Sequence, residues 1–239
     1  MNIHLKQLGL LLAAGNLYFC GIAGAADVIY AQGFANNTGA GTTLVHYGWA
    51  LYVDTGASDF SASANRIVTN MNGPGITNVN AAAPFGNCIS TGFYNGNSDK
   101  VALAYVPFPS GHYKDITVKA DIRNSSNDAE MRFAFEIGGN WYVSNDIFKW
   151  NHASTFTTVT ITLTPATELA SLNFTPGPGG SLVVDSGTAI SFSSISGEVT
   201  KTGFFHNPKA TTQMRVDNFI IEATQSVSPG IKLYLMLSN

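Results

Sequence analysis

From Ile116 to Ile122 every second residue is apolar: Ile116, Val118, Ala120 and Ile122 alternate with Thr117, Lys119 and Asp121. Alternation with a period of two puts one set on a buried face and the other in water, which predicts a half-buried strand. Met131, Phe133, Phe135 and Ile137 repeat the pattern against Arg132, Ala134 and Glu136, and Gly138-Gly139 then leads into Trp141-Tyr142-Val143. Two glycines between such runs predict a two-residue hairpin turn, because its central positions need positive φ. Trp141 and Tyr142, as neighbours in a strand, must point to opposite faces. Val159, Ile161 and Leu163 form another alternating run, stopped by Pro165.

Weaker strand signals lie at Asp27 to Phe34, Trp49 to Val53, Ile67-Val68, Val101 to Val106, Leu182 to Val184 and Thr202 to Phe205. Between them, 36–41, 55–65 and 70–87 are rich in Gly, Asn, Thr, Ala and Pro and read as loops, and 175–180 is a cluster of breakers. Residues 165–172 carry spacing suited to one short helical turn. About nine to thirteen strands with turn-rich connections, and no internal repeat, predict an all-β chain: a two-sheet antiparallel β-sandwich, jelly-roll-like.

The last strand, Thr212 to Ala223, breaks its own phase. Met214 and Val216 put apolar residues on even positions, while Phe219 and Ile221 put them on odd ones. Keeping both pairs on one face requires an extra residue, so a β-bulge is expected at Asp217-Asn218.

Composition adds the setting. Of 239 residues, 45% are hydrophobic and 11% charged, with a net charge of -3. That is globular composition with an extracellular flavour, and no cluster of Lys or Arg supports nucleic-acid binding. Lys6 followed by the apolar run Leu8 to Ile22 and Ala23-Gly24-Ala25 reads as a secretory signal over 1–26. Cys20 would suit a lipoprotein, but the bulky Phe19 precedes it where a small residue is wanted. The sandwich is therefore expected over 27–225, with 226–239 a disordered tail, too short for a membrane span. After cleavage Cys88 stands alone, which rules out an internal disulfide and suits a small buried hydrophobe.

Candidate chemistry is sparse. No nucleophile elbow, zinc helix, phosphate loop or dinucleotide fingerprint occurs. His46, His112, His152 and His206 are scattered and read as surface or loop residues. Glu130 and Glu136 share one strand face, but six residues of strand separate them by roughly 20 Å, far beyond the spacing of a retaining glycosidase pair. They read as solvated charges. Trp141, Tyr142 and Trp150 cluster around one hairpin and its exit, and an exposed aromatic there would stack on a sugar ring. Asp217 and Asn218 at the bulge offer the oxygen ligands that Ca²⁺ prefers, and a first strand lying beside the last would bring Gln32 near them. The alternative is that Asp217 caps a turn or meets Arg215 or Lys209.

The opening Ile29-Tyr30-Ala31-Gln32-Gly33-Phe34, the later Gly48-Trp49 and the closing Met214-Arg215-Val216-Asp217-Asn218-Phe219-Ile220-Ile221 resemble secreted bacterial jelly-roll proteins of the PEP-CTERM surface-sorted type. Those resemble carbohydrate-binding modules and lectin-like domains in outline. The resemblance implies a structural Ca²⁺ tying the first strand to the last, with a role for Asp217. It departs at the C-terminus, where 226–239 lacks the sorting motif, span and basic residues. The expected function is a secreted, non-catalytic sandwich that binds polysaccharide or cell-surface glycan, or serves as a surface or matrix component. The alternative is a polysaccharide-active hydrolase or lyase using Arg132, Glu136 and Tyr142.

Overall fold

The computed structural model describes residues 26–33, 48–54, 59–62, 67–68, 75–78, 87–90, 101–124, 130–149, 155–207 and 214–226. Residues 1–25 of the expected signal segment 1–26 and residues 227–239 of the expected tail lie outside these residues, as do His46, Trp150 and His152. Strands, numbered in chain order, form two sheets. The seven-stranded sheet is built on β16 (Met214–Gln225). On one side β16 pairs with β8 (Tyr113–Asn124), which pairs in turn with β11 (Thr157–Leu163). Its other side is shared by β1 (Asp27–Gln32) and β6 (Asn87–Ser90), and β5 (Gly75–Asn78) and β4 (Ile67–Val68) follow.

The nine-stranded sheet runs β13 (Gly177–Pro178), β3 (Asp59–Ala62), β2 (Ala50–Asp54), β7 (Ala102–Pro107), β15 (Val199–Asn207), β9 (Glu130–Ile137), β10 (Asn140–Ser144), β12 (Glu168–Thr175), β14 (Ser181–Ser191). Every strand pair is antiparallel except β4 with β5. The β9–β10 turn has Gly138 at φ 57 and Gly139 at φ 84, the two positive values its tight geometry requires.

The phase break in β16 is a bulge. Asp217 faces Asp121 and Ile220 faces Lys119, so β16 spends three steps where β8 spends two. Asn218 takes the extra position at φ 45, a left-handed conformation that Asn tolerates better than most residues. The result puts Val216, Phe219, Ile221 and Ala223 all in the core. Between the sheets, the Trp49 ring lies 4.9 Å from Phe219 and 5.9 Å from Phe204, and its Nε1 donates to the Tyr30 hydroxyl at 2.9 Å. One side chain thus joins β1, β15 and β16. The outward face of the seven-stranded sheet is the expected wet one. There Lys119 meets Glu222 at 2.6 Å and the Thr117 and Thr162 hydroxyls share a hydrogen bond of 3.0 Å.

The nine-stranded sheet departs from expectation because it curls. The chain runs from β12 into β13, which pairs with β3 at the opposite end of the sheet. Across that closure the Phe174 and Tyr52 rings are 5.0 Å apart. The face turned away from the first sheet therefore becomes the inside of the curl and holds a second core: Leu103, Ala134, Val143, Ala170, Leu172, Leu182 and Phe205, with Trp141 at its margin. This corrects the reading of Arg132, Ala134 and Glu136 as a wet face: Arg132 is 6% and Ala134 0% exposed. It also replaces the helical turn at 165–172 by β12. That strand has lost its alternation because Leu169 faces one core while Ala170 and Leu172 belong to the other. His206 is fully buried within β15 instead of lying on the surface.

Close approach fixes Gly203 in the middle of β15. A Cβ there would meet the Ala104 carbonyl oxygen and sit 2.6 Å from Tyr105 Cα. Gly203→Ala is expected to cost about 1–3 kcal/mol through overpacking, read as a lower urea midpoint at unchanged slope.

Candidate functional site

Among the described residues the middle of the curled face is buried, and partly exposed side chains lie toward its ends. One end is aromatic. Tyr52 from β2 and Tyr105 from β7 stack with centroids 6.0 Å apart at 9°. Trp141 from β10 lies 5.0 Å from Tyr105, and Phe174 from β12 lies 6.1 Å from Trp141. Tyr52, Tyr105 and Phe174 are half-buried, and Trp141 is 9% exposed. The rings form one continuous floor drawn from four strands.

A polar group borders that floor. Lys201 on β15 holds its Nζ 5.3 Å from the Tyr105 ring centre and 5.8 Å from that of Trp141, within cation–π range. It donates to Glu136 Oε1 at 2.9 Å, and Thr200 Oγ1 donates to Glu136 Oε2 at 2.6 Å. Burial alone would raise the Glu136 pKa. The hydrogen bonds from Thr200 and Lys201, with the lysine charge, outweigh it and hold the carboxyl below its ordinary 4.5. Burial, then the neighbouring Tyr52 hydroxyl and Glu136, push the Tyr105 phenol well up, so it stays a neutral donor. Flat apolar rings beside fixed donors and acceptors suit a ligand with apolar C–H faces and a rim of hydroxyls, which is the chemistry of a sugar.

The residues expected from sequence are distributed as follows. Trp141 belongs to the floor. Tyr142 points the other way, against the core between the sheets, so the two do not form one surface. Trp150 lies outside the described residues. Arg132 and Glu136 share a face but lie about 13 Å apart along β9, and Tyr142 is on the opposite face, so the enzyme set does not converge. Glu130 and Glu136, expected as solvated, are 14% and 15% exposed at their side chains and sit beside Lys149 and Lys201. Sequence reading missed Tyr52, Tyr105, Phe174 and Lys201. The one signal for them was alternation of Tyr52 and Tyr105 with apolar residues already assigned to a core.

At the bulge, β1 does lie beside β16, with Gln32 opposite Phe219. Gln32 nevertheless falls on the face of Tyr30 and Phe219, whereas Asp217 pairs with Asp121 on the outward face. Its amide donates to the Gly33 carbonyl at 3.2 Å. The partner that joins the bulge is Asp121. Asn218 Nδ2 donates to Asp121 Oδ2 at 2.8 Å, Thr158 Oγ1 donates to Asp121 Oδ1 at 2.5 Å, and the Asn218 backbone N–H donates to Asp217 Oδ1 at 2.8 Å. Asn218 Oδ1 lies 3.0 Å from where a Cβ on Gly33 would stand, so glycine makes room for it. Among the described residues no group of three or more His, Cys, Asp or Glu side chains is placed to hold a metal, and no helix is long and apolar enough to cross a membrane.

No protein-family model and no curated protein matches the chain. Similar solved structures include a family 11 carbohydrate-binding module of a cellulosomal cellulase from Clostridium thermocellum, at 13% identity and TM-score 0.43, covering 84% of this chain and 95% of that one. A cyclase from Fischerella sp. in its apo form is similar at 15% identity and TM-score 0.39, covering 76% and 85%. The K3 adhesin domain of Lys-gingipain from Porphyromonas gingivalis is similar at 12% identity and TM-score 0.32, covering 82% and 98%.

The Glu136 cluster has a pH consequence. A carboxyl with a lowered folded pKa stabilises the fold above its unfolded pKa, and that contribution disappears as pH falls through the folded value. Urea unfolding of Glu136→Gln and the parent chain is therefore expected to differ at pH 7, and the difference to shrink as pH falls below the ordinary 4.5 through the lowered folded value. A constant difference from pH 7 to pH 3 would show that the ion pair contributes nothing.

Proposed function

We propose that this chain is a non-catalytic glycan-binding β-sandwich whose ligand rests on the aromatic floor of Tyr52, Tyr105, Trp141 and Phe174. The observation carrying this is the convergence of four rings from four strands beside the Lys201–Glu136–Thr200 group. Core packing alone does not call for a charged pair and an exposed threonine at the same place. The polar groups come as donors and an acceptor together, which suits neutral hydroxyls better than an ion.

Secretion belongs to the same proposal and rests on the signal-like 1–26. So does kinship with the PEP-CTERM surface-sorted type, which rests on the opening and closing motifs. A non-catalytic role is favoured over a hydrolase or lyase by Glu136. A general acid needs a raised pKa, and this carboxyl is held low with both oxygens engaged.

A glycan array on the full chain tests the reading. Tyr105→Ala is expected to weaken the best-bound polysaccharide by about tenfold or more, as truncation of a central aromatic anchor does, with the melting transition retained. Unchanged affinity in that variant would move the ligand elsewhere. Release of reducing sugar or unsaturated product from the bound polysaccharide would overturn the non-catalytic assignment.

A structural Ca²⁺ at the bulge is proposed only in altered form, with Asp217, Asn218 and Asp121 as protein ligands and without Gln32. Two carboxylates directly opposite each other repel, and a divalent ion would relieve that. Added Ca²⁺ is then expected to raise the melting temperature and EDTA to lower it, and Asp121→Asn is expected to abolish the response. A melting curve indifferent to both additions would remove the metal.

A further inference from the structure

β11 ends the seven-stranded sheet: it pairs with β8 on one side, and no described residue pairs with it on the other. An end strand offers a row of backbone donors and acceptors, and proteins guard such edges with shortness, proline, charge or a bulge. Among the described residues, the other strands with a single neighbour carry a guard. β4 has two residues, β13 has two with Pro178, and the pairings of β1 and β14 shift register. β11 reads Thr157-Thr158-Val159-Thr160-Ile161-Thr162-Leu163, without charge, proline or glycine, and its pairing with β8 shows no shift.

The crossover to β12 sets which of its groups face outward. The Thr167 hydroxyl donates to the Thr162 carbonyl at 2.8 Å and accepts from the Thr164 N–H at 2.8 Å. One threonine thus fills, at that end, the place a neighbouring strand would take. Backbone groups alternate in direction along a strand, so those of Thr158 and Thr160, and the Thr162 N–H, face the same way. No hydrogen bond on that side engages them among the described residues.

Beside this edge lies a groove of about 460 Å³. Thr160, Ile161 and Thr162 line it from β11, and Asn145, Asp146 and Glu168 line it from the other sheet. Its charged groups are the two carboxylates, both on exposed residues and neither in an ion pair. Asp146 acts on Arg132 from beyond ion-pair distance, and Arg132 is itself buried and bonded to the carbonyls of Ser144 and Asn145.

Charge and direction together choose the occupant. Residues directly opposite each other in an antiparallel pair point to the same face. A segment paired with β11 turns its residues opposite Thr158 and Thr160 outward, and its residue opposite Ile161 inward, to the groove. A lysine or arginine there lays its apolar stem along Ile161 and Ala166 and brings its charge to Asp146 and Glu168. A second copy of β11 would supply no cation, and would put carboxylates of both copies on one side of the joined sheet.

We propose that the β11 edge and its groove are a docking site for an extended basic segment of a partner protein. The segment adds a strand to the seven-stranded sheet and sets one Lys or Arg against Asp146 and Glu168. The site is separate from the aromatic floor and does not depend on it.

Amide chemical-shift titration of the full chain with the capped peptide Thr-Lys-Thr-Val-Thr tests this. Saturable shifts centred on Thr158, Thr160 and Thr162 are expected, with a dissociation constant on the order of 1 mM, as suits so short a ligand. Glutamate in place of the peptide lysine should weaken binding about tenfold, and Asp146→Asn with Glu168→Gln should remove that preference. N-methylation of the central peptide threonine, whose N–H meets the Thr160 carbonyl, should abolish binding. N-methylation of the peptide lysine, whose N–H points away from β11, should leave it. The proposal is overturned if nothing saturates, if the shifts centre elsewhere, if the two N-methyl peptides bind alike, or if the glutamate peptide binds as tightly as the lysine one. Self-association of the chain that shifts the same amides without peptide would make a second copy the occupant, and would overturn it as well.

Discussion

The molecule depends on one geometric constraint: the nine-stranded sheet must bury both of its faces. The face toward the seven-stranded sheet is covered by Val118, Phe219 and Ile221. The other face has no third layer over it among the described residues, and the sheet covers it by curling until β13 meets β3. Twisted sheets bend readily when the strand ends are irregular, and β14 and β15 both carry register shifts that permit it. Apolar side chains on the inside then meet one another, at about 25 cal/mol for each Å² removed from water. Among the described residues, side chains inside the curl stay partly exposed toward its two openings.

The bulge in β16 serves the other core. Without the extra residue, Phe219 and Ile221 would turn outward while Val216 stayed in, and Trp49 would lose the ring it packs on. Asn218 makes the left-handed step, and its amide ties the step to Asp121 on β8. The bulge is thus first a device for phase. A cation there would reinforce it without changing which residues face the core.

What the sequence disclosed follows from this. Local rules were legible where one face is wet. Ile116 to Ile122 alternates because β8 has solvent on one side, Gly138-Gly139 forms the expected turn, and the phase slip at Asp217-Asn218 is a real bulge. Alternation distinguishes two faces but carries no information on curvature. Arg132, Ala134 and Glu136 therefore looked solvated, and β12 looked helical because Leu169 is buried on one face while Ala170 and Leu172 are buried on the other. The aromatic floor was hidden for a related reason. Tyr52 and Tyr105 sit on neighbouring strands, as do Trp141 and Phe174, and the curl of the sheet brings the two pairs together. Trp141 was singled out from its hairpin, yet its neighbour Tyr142, equally prominent, belongs to the other core.

The central claim is that glycan binding sits at the aromatic end of the curl and not on the open face of the seven-stranded sheet. Amide chemical-shift mapping during titration with the tightest glycan of the array tests it most directly. The account predicts perturbations concentrated at Tyr52, Tyr105, Trp141, Phe174, Thr200 and Lys201. Perturbations concentrated instead on the outward face of the other sheet, at Thr117, Lys119, Thr160 and Glu222, would contradict it.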